Sequence, residues 1–465
     1  MAENGILKYT LAGFFDISSK NASQGAGMND FWRFLIGLVK LTLFLGVVAA
    51  FYASQAIYNE AVRADVRSAG ATIFAFVLVH VMFMAIYGGY DIGKKSRKNV
   101  QNSVFIITWL TDLVVFAAIC ILTKQINGIN AFLSNFGMLL FAVVAQGLLT
   151  LALIRLGYKI YYYATRNSHT VYIVNRDTDQ PKMLANIEHR AALMPGDKVV
   201  EYTRPDILAE IERFDNVFIS DIPASDRRRL MEFAYGRGKN ILFTPEISDI
   251  VEVTSEYRMF GDALIFASAK TDLTLAERFM KRFFDIVGAG LLLILTSPLF
   301  LFCAILIKLD DHGKIFFTQL RATKGGKPFK IYKFRTMIES ETTKPMQETD
   351  NRVTRAGKLL RATRLDELPQ FLNILGGSMS LVGPRPEQLV YLHGFEGDYP
   401  EYEYRLRVKA GLTGFAQIEG KYNTTNKEKL MLDLMYIQSY SLWLDLKLLL
   451  QTFLVLLKED STEGF

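Results

Sequence analysis

Four long apolar segments occupy the first third of this 465-residue chain, at residues 31–53, 71–90, 103–123 and 131–155. Each reaches the ~20 residues that an α-helix needs to cross a bilayer. Because hydrocarbon offers the backbone no hydrogen-bond partners, we expect these segments to be transmembrane helices. We predict that they lack a buried carboxylate and a Gly/Pro-broken helix pair, which are the marks of a transport site. An anchor is therefore the expected role.

The distribution of charge predicts which parts of the chain face the cytoplasm. The loop between the second and third segments contains four Lys or Arg residues, whereas the first and third loops have little net positive charge. By the positive-inside rule, this loop, both ends of the bundle and everything after Arg155 are cytoplasmic. The composition fits a membrane part joined to soluble domains, since the chain is 50% hydrophobic yet 22% charged.

The middle of the chain has the pattern of a soluble α/β domain. Short apolar runs alternate with helical stretches, as expected of βαβ units around a parallel sheet. The runs lie at residues 171–174, 199–202, 217–220, 241–243 and 263–267. A nucleotide-binding version would need a glycine-rich turn after the first strand, and residues 175–179 contain no glycine. We therefore predict a Rossmann-like domain without a cofactor, with spacing, regulation or dimerisation as its remaining roles.

A fifth apolar run, residues 286–309, is interrupted by Ser297 and Pro298. Pro298 removes a backbone hydrogen bond and clashes with the carbonyl of Ile294, and Ser297 can bond a carbonyl freed in this way. A helix bent here would enter one leaflet and return to the same face. The alternative is a kinked helix that spans the membrane. A crossing would, however, place everything that follows outside the cell.

The next window, residues 319–364, contains twelve Lys or Arg against four Asp or Glu, so that its net charge of +8 exceeds the +6 of the whole chain. Such a patch implies phosphate-rich ligands, anionic lipid, or both. Lys333 and Arg335 share one face of a predicted strand with Ile331. Nucleic acid is disfavoured, because membrane-associating segments enclose the window and it has no recognisable nucleic-acid module.

The last apolar run, residues 442–457, is either an interfacial helix or a buried core helix.

Asp366 and Glu367 precede Pro369 and an apolar run that stops at Gly376. This spacing predicts a helix with both carboxylates at its N-terminus, where the backbone dipoles favour negative charge. Spacing alone favours Asp366 as a capping residue; a nucleophile beside phosphate-binding amides is the alternative.

Downstream, the prolines on either side of Arg385 hold it on a stiff loop suited to planar contact with a phosphate or carboxylate.

Six motifs follow in order: KRFFD at 281–285, Ser297-Pro298, FKIYKFRTM at 329–337, LDELPQFL at 365–372, MSLVGPRPE at 379–387 and GLTGFAQ at 411–417. With them, residues 281–457 closely resemble the catalytic domain of the bacterial sugar transferases, which are monotopic phosphoglycosyl transferases. This family transfers a sugar-1-phosphate from a UDP-sugar to undecaprenyl phosphate and releases UMP. The preceding helices and middle domain resemble the large members that start O-antigen, capsule or exopolysaccharide synthesis. Two departures are Ala410, where the family usually has proline, and Lys421, where it has arginine.

The resemblance implies a role for each matched position. Asp366 is the nucleophile, which becomes a phosphosugar-aspartyl ester in a ping-pong reaction, and Glu367 is the adjacent catalytic carboxylate and a Mg²⁺ ligand. Ser297 and Pro298 form the break of a re-entrant membrane helix. Attack on a diphosphate needs charge neutralisation, which Mg²⁺ and neighbouring cations supply. The expected substrate-binding residues are Lys333, Arg335, Arg361, Arg364, Pro384 and Arg385.

The expected architecture is therefore a membrane α-helical bundle, a Rossmann-like α/β domain and an α/β monotopic catalytic domain. The expected boundaries are 1–30 for a cytoplasmic segment, 31–155 for the bundle, 156–270 for the middle domain and 271–465 for the catalytic domain, with a re-entrant helix at about 283–309. The resemblance implies the bacterial inner membrane, with catalysis on its cytoplasmic face, a UDP-hexose such as UDP-glucose or UDP-galactose, and a homodimer. The competing hypotheses are a non-catalytic membrane assembly factor and a transferase that works without a covalent intermediate.

Overall fold

A computed structural model describes most of the chain, and the chain forms two compact units, Met1–Thr244 and Pro245–Phe465. The described residues are 28, 30–58, 62, 66–93, 96–123, 129–177, 181–193, 196–253, 255–268, 273–338, 352–389, 400–420 and 425–456.

The first unit begins with a bundle of four long helices, each apolar and long enough to cross a membrane. They are α1 (Asp30–Tyr58), α2 (Val66–Tyr87), α3 (Arg97–Thr123) and α4 (Ile129–Thr165). Helix α1 runs beside α4, and Gly46 lies so close to Leu149 that a Cβ there would collide with the leucine side chain. Small residues at such crossings let membrane helices approach closely. The four predicted segments are helical at the expected positions, and their length and hydropathy support the prediction that they cross a membrane.

The expectation that this bundle lacks a buried carboxylate is wrong. Asp112 of α3 is fully buried, and its Oδ1 accepts a hydrogen bond of 3.1 Å from Nε2 of Gln146 on α4. The same amide nitrogen donates to the carbonyl of Val47 on α1 at 3.1 Å. A polar side chain in an apolar environment is costly unless it is hydrogen-bonded, and here the bonds link three helices. The single Asp112 is inconspicuous in sequence because apolar residues surround it.

The rest of the first unit is a parallel sheet covered on both faces. Strands β1 (Thr170–Val174), β2 (Lys198–Glu201), β3 (Asn216–Ser220) and β4 (Asn240–Phe243) lie in the order β2-β1-β3-β4. Successive residues of β1 belong to two separate apolar clusters, one on each side of the sheet. The helices that supply these layers are α5 (Pro181–Leu193), α6 (Ile207–Arg213) and α7 (Ala224–Gly236). The predicted parallel α/β arrangement is confirmed for these four strands.

The fifth predicted strand does not join this sheet. In the second unit, a short helix α8 (Ile247–Val253) precedes β5 (Glu256–Phe260), which pairs antiparallel with β6 (Ala263–Ala267). The turn contains Gly261, whose φ of +61° suits glycine. Two residues between alternating strands are a hairpin signal, and Gly261-Asp262 is of this kind. The prediction that residues 263–267 extend the parallel sheet is therefore wrong.

Helix α9 (Leu275–Asp311) contains the fifth apolar run and is anchored near its start by charged side chains. Arg282 donates to the carbonyls of Ile374 and Leu375 at 2.6 and 2.7 Å. Asp285 is buried, and its Oδ1 accepts bonds from the hydroxyl of Ser380 and the amide of Leu381 at 2.9 and 2.8 Å. The charged residues of the KRFFD motif therefore connect α9 to the elements that follow.

Ser297 compensates the backbone at Pro298 as expected. Its hydroxyl donates to the carbonyl of Ile294 at 2.7 Å, which is the carbonyl that proline leaves without an amide partner. The helix continues through Pro298, and α9 is long and apolar enough to cross a membrane. A re-entrant path through the bilayer stays a prediction.

The remaining elements pack around two apolar clusters in the second unit, the larger of which is its core. Strands β7 (Phe316–Ala322) and β8 (Pro328–Phe334) form an antiparallel hairpin, followed by α10 (Arg355–Ala362), a 3₁₀ turn (Leu365–Glu367) and α11 (Gln370–Leu375). Strand β9 (Ser380–Val382) pairs parallel with β10 (Gly411–Thr413). The last helices are α12 (Phe415–Glu419), α13 (Asn426–Gln438) and α14 (Leu442–Leu456). Leu448 of α14 is buried in the core, which supports the core-helix alternative for this segment.

Candidate active site

Asp366 and Glu367 lie on the short 3₁₀ turn between α10 and α11. Arg364, just before the turn, adopts the left-handed conformation with φ of 53°, which reverses the chain after α10. The residue that precedes the first turn of α11 is Pro369, and no side chain caps that helix. The prediction that Asp366 caps the helix is therefore wrong, although the helix and its end at Gly376 are confirmed. Leu365 and Leu368 pack against the apolar cluster that contains Phe334 and Leu360, which anchors the turn.

Two cations neutralise Glu367. Its Oε1 accepts hydrogen bonds from Nζ of Lys333 at 2.9 Å and from Nη2 of Arg385 at 3.0 Å. Burial alone would raise the pKa of Glu367, but the charges of Lys333 and Arg385 outweigh it and hold that pKa well below its usual range. Glu367 is therefore an ionised, firmly held carboxylate.

Asp366 has a different environment, although it is the adjacent residue. Its Oδ2 is 4.0 Å from Nζ of Lys333, beyond hydrogen-bond distance. Burial and the negative charge of Glu367 raise the pKa of Asp366 to about 6, against the opposing effect of nearby cations. At neutral pH the carboxylate is thus mostly ionised, but it is less well stabilised than that of Glu367. The two adjacent carboxylates therefore differ in basicity, and Asp366 is the more basic of the pair.

Strand β8 positions Lys333. Phe329 and Ile331 are buried on the face that also carries Lys333, which confirms the predicted alternation. The side chain of Asn373, on α11, pairs with the open edge of the strand: it accepts from the amide of Tyr332 at 2.9 Å and donates to the carbonyl of Lys330 at 2.7 Å. This pairing ties β8 to the helix that follows the turn with Asp366 and Glu367. No local sequence pattern predicts the role of Asn373.

Arg405 supports the loop that carries Arg385. Only 3% of the Arg405 side chain is exposed, and its Nη2 lies 3.0 Å from the carbonyl oxygen of Arg385 and 2.7 Å from Oδ2 of Asp433. Its Nη1 also donates to Glu387 at 3.0 Å. Pro384 is buried, and its carbonyl accepts from the amide of Gly411. Arg405 has no motif of its own, because its partners are distant in sequence.

Of the other predicted substrate-binding cations, Arg361 and Arg364 act on the carboxylates through their charge, and Arg335 bonds elsewhere. The positive charge of Arg361 acts on Asp366 and lowers its pKa, and the Arg361 side chain also donates to the hydroxyl of Thr336 at 2.8 Å. Arg364 acts similarly on Glu367. Arg335 is buried beside Gly313 and donates to the carbonyl of Lys314 at 2.7 Å, so that it braces the connection between α9 and β7.

The carboxylate pair is also the place where a divalent cation would fit. Among the described residues, no cluster of three or more His, Cys, Asp and Glu side chains is present. Mg²⁺ does not require one, since it is commonly held by one or two carboxylates together with substrate phosphates and water. Oε1 of Glu367 is already shared by Lys333 and Arg385, which leaves its second oxygen and the Asp366 carboxylate as the available donors.

Comparison with known proteins gives consistent matches to this part of the chain. Residues 276–459 match the profile of the family described as "Bacterial sugar transferase". A Caulobacter vibrioides UDP-glucose:undecaprenyl-phosphate glucose-1-phosphate transferase is 44% identical over 189 residues, which cover 39% of this chain and 71% of that protein. A Rhizobium leguminosarum exopolysaccharide production protein, PSS, is 37% identical over 185 residues, or 37% of this chain and 92% of that protein.

A third relative acts on a different sugar. The Aeromonas hydrophila UDP-N-acetylgalactosamine-undecaprenyl-phosphate N-acetylgalactosaminephosphotransferase is 44% identical over 180 residues, which cover 37% of this chain. The match spans only 43% of the length of that protein. Because relatives named for different sugars are equally similar, overall similarity does not identify the sugar used by this chain.

Proposed function

Because the chain belongs to the bacterial sugar transferase family, we propose that it is a phosphoglycosyl transferase that moves a sugar-1-phosphate from a UDP-sugar to undecaprenyl phosphate. The products are undecaprenyl-diphospho-sugar and UMP, and the proposed setting is the first membrane step of surface polysaccharide synthesis. The observation that carries the proposal is the Asp366–Glu367 pair, in which one carboxylate is neutralised by Lys333 and Arg385 and the other is not.

In the first proposed step, a carboxylate oxygen of Asp366 attacks the phosphorus that carries the sugar. A bond forms between this oxygen and phosphorus, and the bond from phosphorus to the bridging oxygen breaks, so that UMP leaves with the electron pair. Lys333 and Arg385 lie at the carboxylate pair, where they can offset the charge that develops on the diphosphate. Arg385 remains protonated, because the charge of Glu367 raises its pKa further.

In the second step, an oxygen of undecaprenyl phosphate attacks the same phosphorus and releases the Asp366 carboxylate. Two successive displacements allow a soluble donor and a lipid acceptor to react at one carboxylate without being bound together. The raised pKa of Asp366 fits this role, since a carboxylate that is less stabilised by cations is a better nucleophile than Glu367. The competing mechanism is direct transfer in a ternary complex.

Mg²⁺ fits the pair of carboxylates, and we propose that Glu367 holds it together with the donor phosphates. When bound, the ion would neutralise charge on the diphosphate. Glu367 suits this role because Lys333 and Arg385 keep it ionised and fixed in position.

The contacts of α9 support a membrane-associated catalytic unit on one side of the bilayer. Near the start of α9, Asp285 accepts a hydrogen bond from the hydroxyl of Ser380. Near its end, Oδ2 of Asp310 accepts a hydrogen bond of 2.9 Å from the amide of Ala356. Both ends of the helix therefore contact the same compact unit. Many side chains between them remain exposed, among them Leu291, Ile294 and Leu295, which are 65–74% exposed. These features favour a helix that enters the membrane and returns over one that separates two compartments.

The test is release of UMP by the purified full-length protein, with undecaprenyl phosphate, Mg²⁺ and a panel of UDP-sugars. We expect one or a few UDP-hexoses to be substrates and Asp366→Asn to abolish UMP release. A radiolabelled sugar phosphate should remain on the wild-type protein when the acceptor is left out. Normal turnover by Asp366→Asn would overturn the mechanism, and turnover without a trapped intermediate would favour the ternary complex.

A further inference from the structure

Two adjacent phenylalanines, Phe316 and Phe317, begin strand β7 and are both 46% exposed. Successive residues of a strand point to opposite faces, so that the two rings have different surroundings. Phe316 is paired with Phe334 across the hairpin, and their rings stack with centroids 5.5 Å apart. The ring of Phe334 in turn lies 5.2 Å from that of Phe300 on the apolar helix α9. Phe316 therefore belongs to an aromatic cluster on the side of the membrane helix.

Phe317 is on the other face of the hairpin, and its partner in the register is Lys333. Directly opposite residues on one face have Cβ atoms about 5 Å apart. Nζ of Lys333 lies 2.9 Å from Glu367 and 4.0 Å from Asp366. The Phe317 side chain therefore lies beside Lys333, the residue that bonds Glu367, and in the described part of the chain its ring stacks on no other aromatic ring. A half-exposed ring without a partner beside a charged site is suited to contact with a ligand.

We propose that Phe317 is the platform on which the uracil base of the donor stacks, an inference that rests on the proposed function. The ligand of a site with Lys333 and Arg385 is a diphosphate, and in a UDP-sugar the base follows the diphosphate after one ribose. Base-on-aromatic stacking needs an accessible π-face, which Phe317 offers. The prenyl chain of the acceptor arrives from the membrane, and the aromatic cluster with Phe316 and Phe300 lies on the side of α9. The two adjacent rings thus separate the base from the lipid.

The test measures binding of UDP and of inorganic pyrophosphate to the full-length protein in detergent with Mg²⁺. We expect Phe317→Ala to weaken UDP binding about 5- to 150-fold, the range for loss of one stacked base, and to leave pyrophosphate binding unchanged. Phe317→Leu keeps an apolar side chain without a π-face, and it should weaken UDP binding as much as Phe317→Ala does. Phe317→Trp should retain UDP binding, and UDP should quench the fluorescence of the new tryptophan.

Phe316→Ala is the matched control, because Phe316 has the same exposure on the opposite face, and it should leave UDP affinity unchanged. Wild-type affinity in both Phe317→Ala and Phe317→Leu, or an equal loss of pyrophosphate binding, would overturn the proposal. A change confined to the KM for undecaprenyl phosphate would also overturn the proposal, because it would assign Phe317 to the lipid. A wild-type protein that does not bind UDP would overturn it as well. UDP binding that depends on Phe317 in a protein without turnover would retain the stacking site and reject the proposed reaction.

Discussion

Burial and the adjacent charge of Glu367 raise the pKa of Asp366 to about 6, from an ordinary value of 3.8. The native protein therefore binds this proton more tightly than the unfolded chain does, and ionisation of Asp366 lowers stability as the pH rises from about 3.8 to about 6. We expect Asp366→Asn to raise the free energy of unfolding by about 3 kcal/mol above pH 6, without divalent cation. The gain should disappear as the pH falls toward 4. Thermal unfolding at pH 4.5 and pH 8 measures it.

Glu367→Gln is the matched comparison, and the sign of its effect is opposite. The pKa of Glu367 is lowered by Lys333 and Arg385, so that its charge stabilises the native state at neutral pH. Glu367→Gln should therefore lower the melting temperature at pH 8, whereas Asp366→Asn should raise it at that pH. Equal shifts for the two variants would show that the carboxylates share one environment, contrary to the observed contacts.

Arg405 provides a second prediction at the scale of a single residue. Arg405→Met would leave the carboxylates of Asp433 and Glu387 without their main cation, and Asp433 is only 1% exposed. Removal of one partner from a buried ion pair costs about 3–5 kcal/mol. We expect that loss of stability in chemical unfolding, together with weaker UDP-sugar binding, because Arg385 loses its support. The neighbouring Arg407, which is exposed over the ring of Tyr404, is the control, and Arg407→Met should change stability by less than about 1 kcal/mol.

Elements with a strong local pattern could be predicted from the sequence. The four membrane helices follow from their length and hydrophobicity, and the strands β1 to β4 follow from short apolar runs between helices. The assignment of residues 263–267 failed because a short apolar strand looks the same in a parallel sheet and in a hairpin, unless the Gly261-Asp262 turn is recognised. The roles of three residues could not be predicted from sequence. Asn373 and Asp112 each bond a partner 34 or more residues away. Arg405 acts through Asp433 and Glu387, which belong to other elements.

The contact between Asp112 and Gln146 makes a prediction at the scale of the helix bundle. Gln146→Leu would remove the donor to Asp112 and to the carbonyl of Val47, so that α1, α3 and α4 lose their shared polar contact. We expect destabilisation of about 1–3 kcal/mol, because a buried polar group is left unsatisfied. Thermal unfolding in lipid nanodiscs measures it. The double variant Asp112→Leu/Gln146→Leu should recover much of the loss, and an additive loss in the double variant would contradict the coupling of the two side chains.

At the scale of the whole molecule, the path of α9 decides on which side of the membrane the chemistry occurs. A straight helix of 37 residues would be ~55 Å long, whereas the hydrocarbon core is ~30 Å thick, so that length alone permits a crossing. A crossing, however, would place the partners of Asp285 and Asp310 on opposite faces of the bilayer. These partners, Ser380 and Ala356, belong to one compact unit, and Leu368 packs against both of its apolar clusters.

Labelling of single cysteines with a membrane-impermeant maleimide tests this topology. In a protein with Cys120 and Cys303 replaced, cysteine at the exposed Glu419 of the catalytic unit should react in inverted vesicles and not in intact cells. Cysteine at the exposed Lys98, in the first turn of α3, should behave in the same way, whereas cysteine at the highly exposed Val66, at the start of α2, should react from outside. Reaction of the Glu419→Cys protein in intact cells would establish a fifth crossing. The carboxylates would then lie on the side of the membrane that cytoplasmic UDP-sugars do not reach, and both the re-entrant helix and the proposed donor would have to be abandoned.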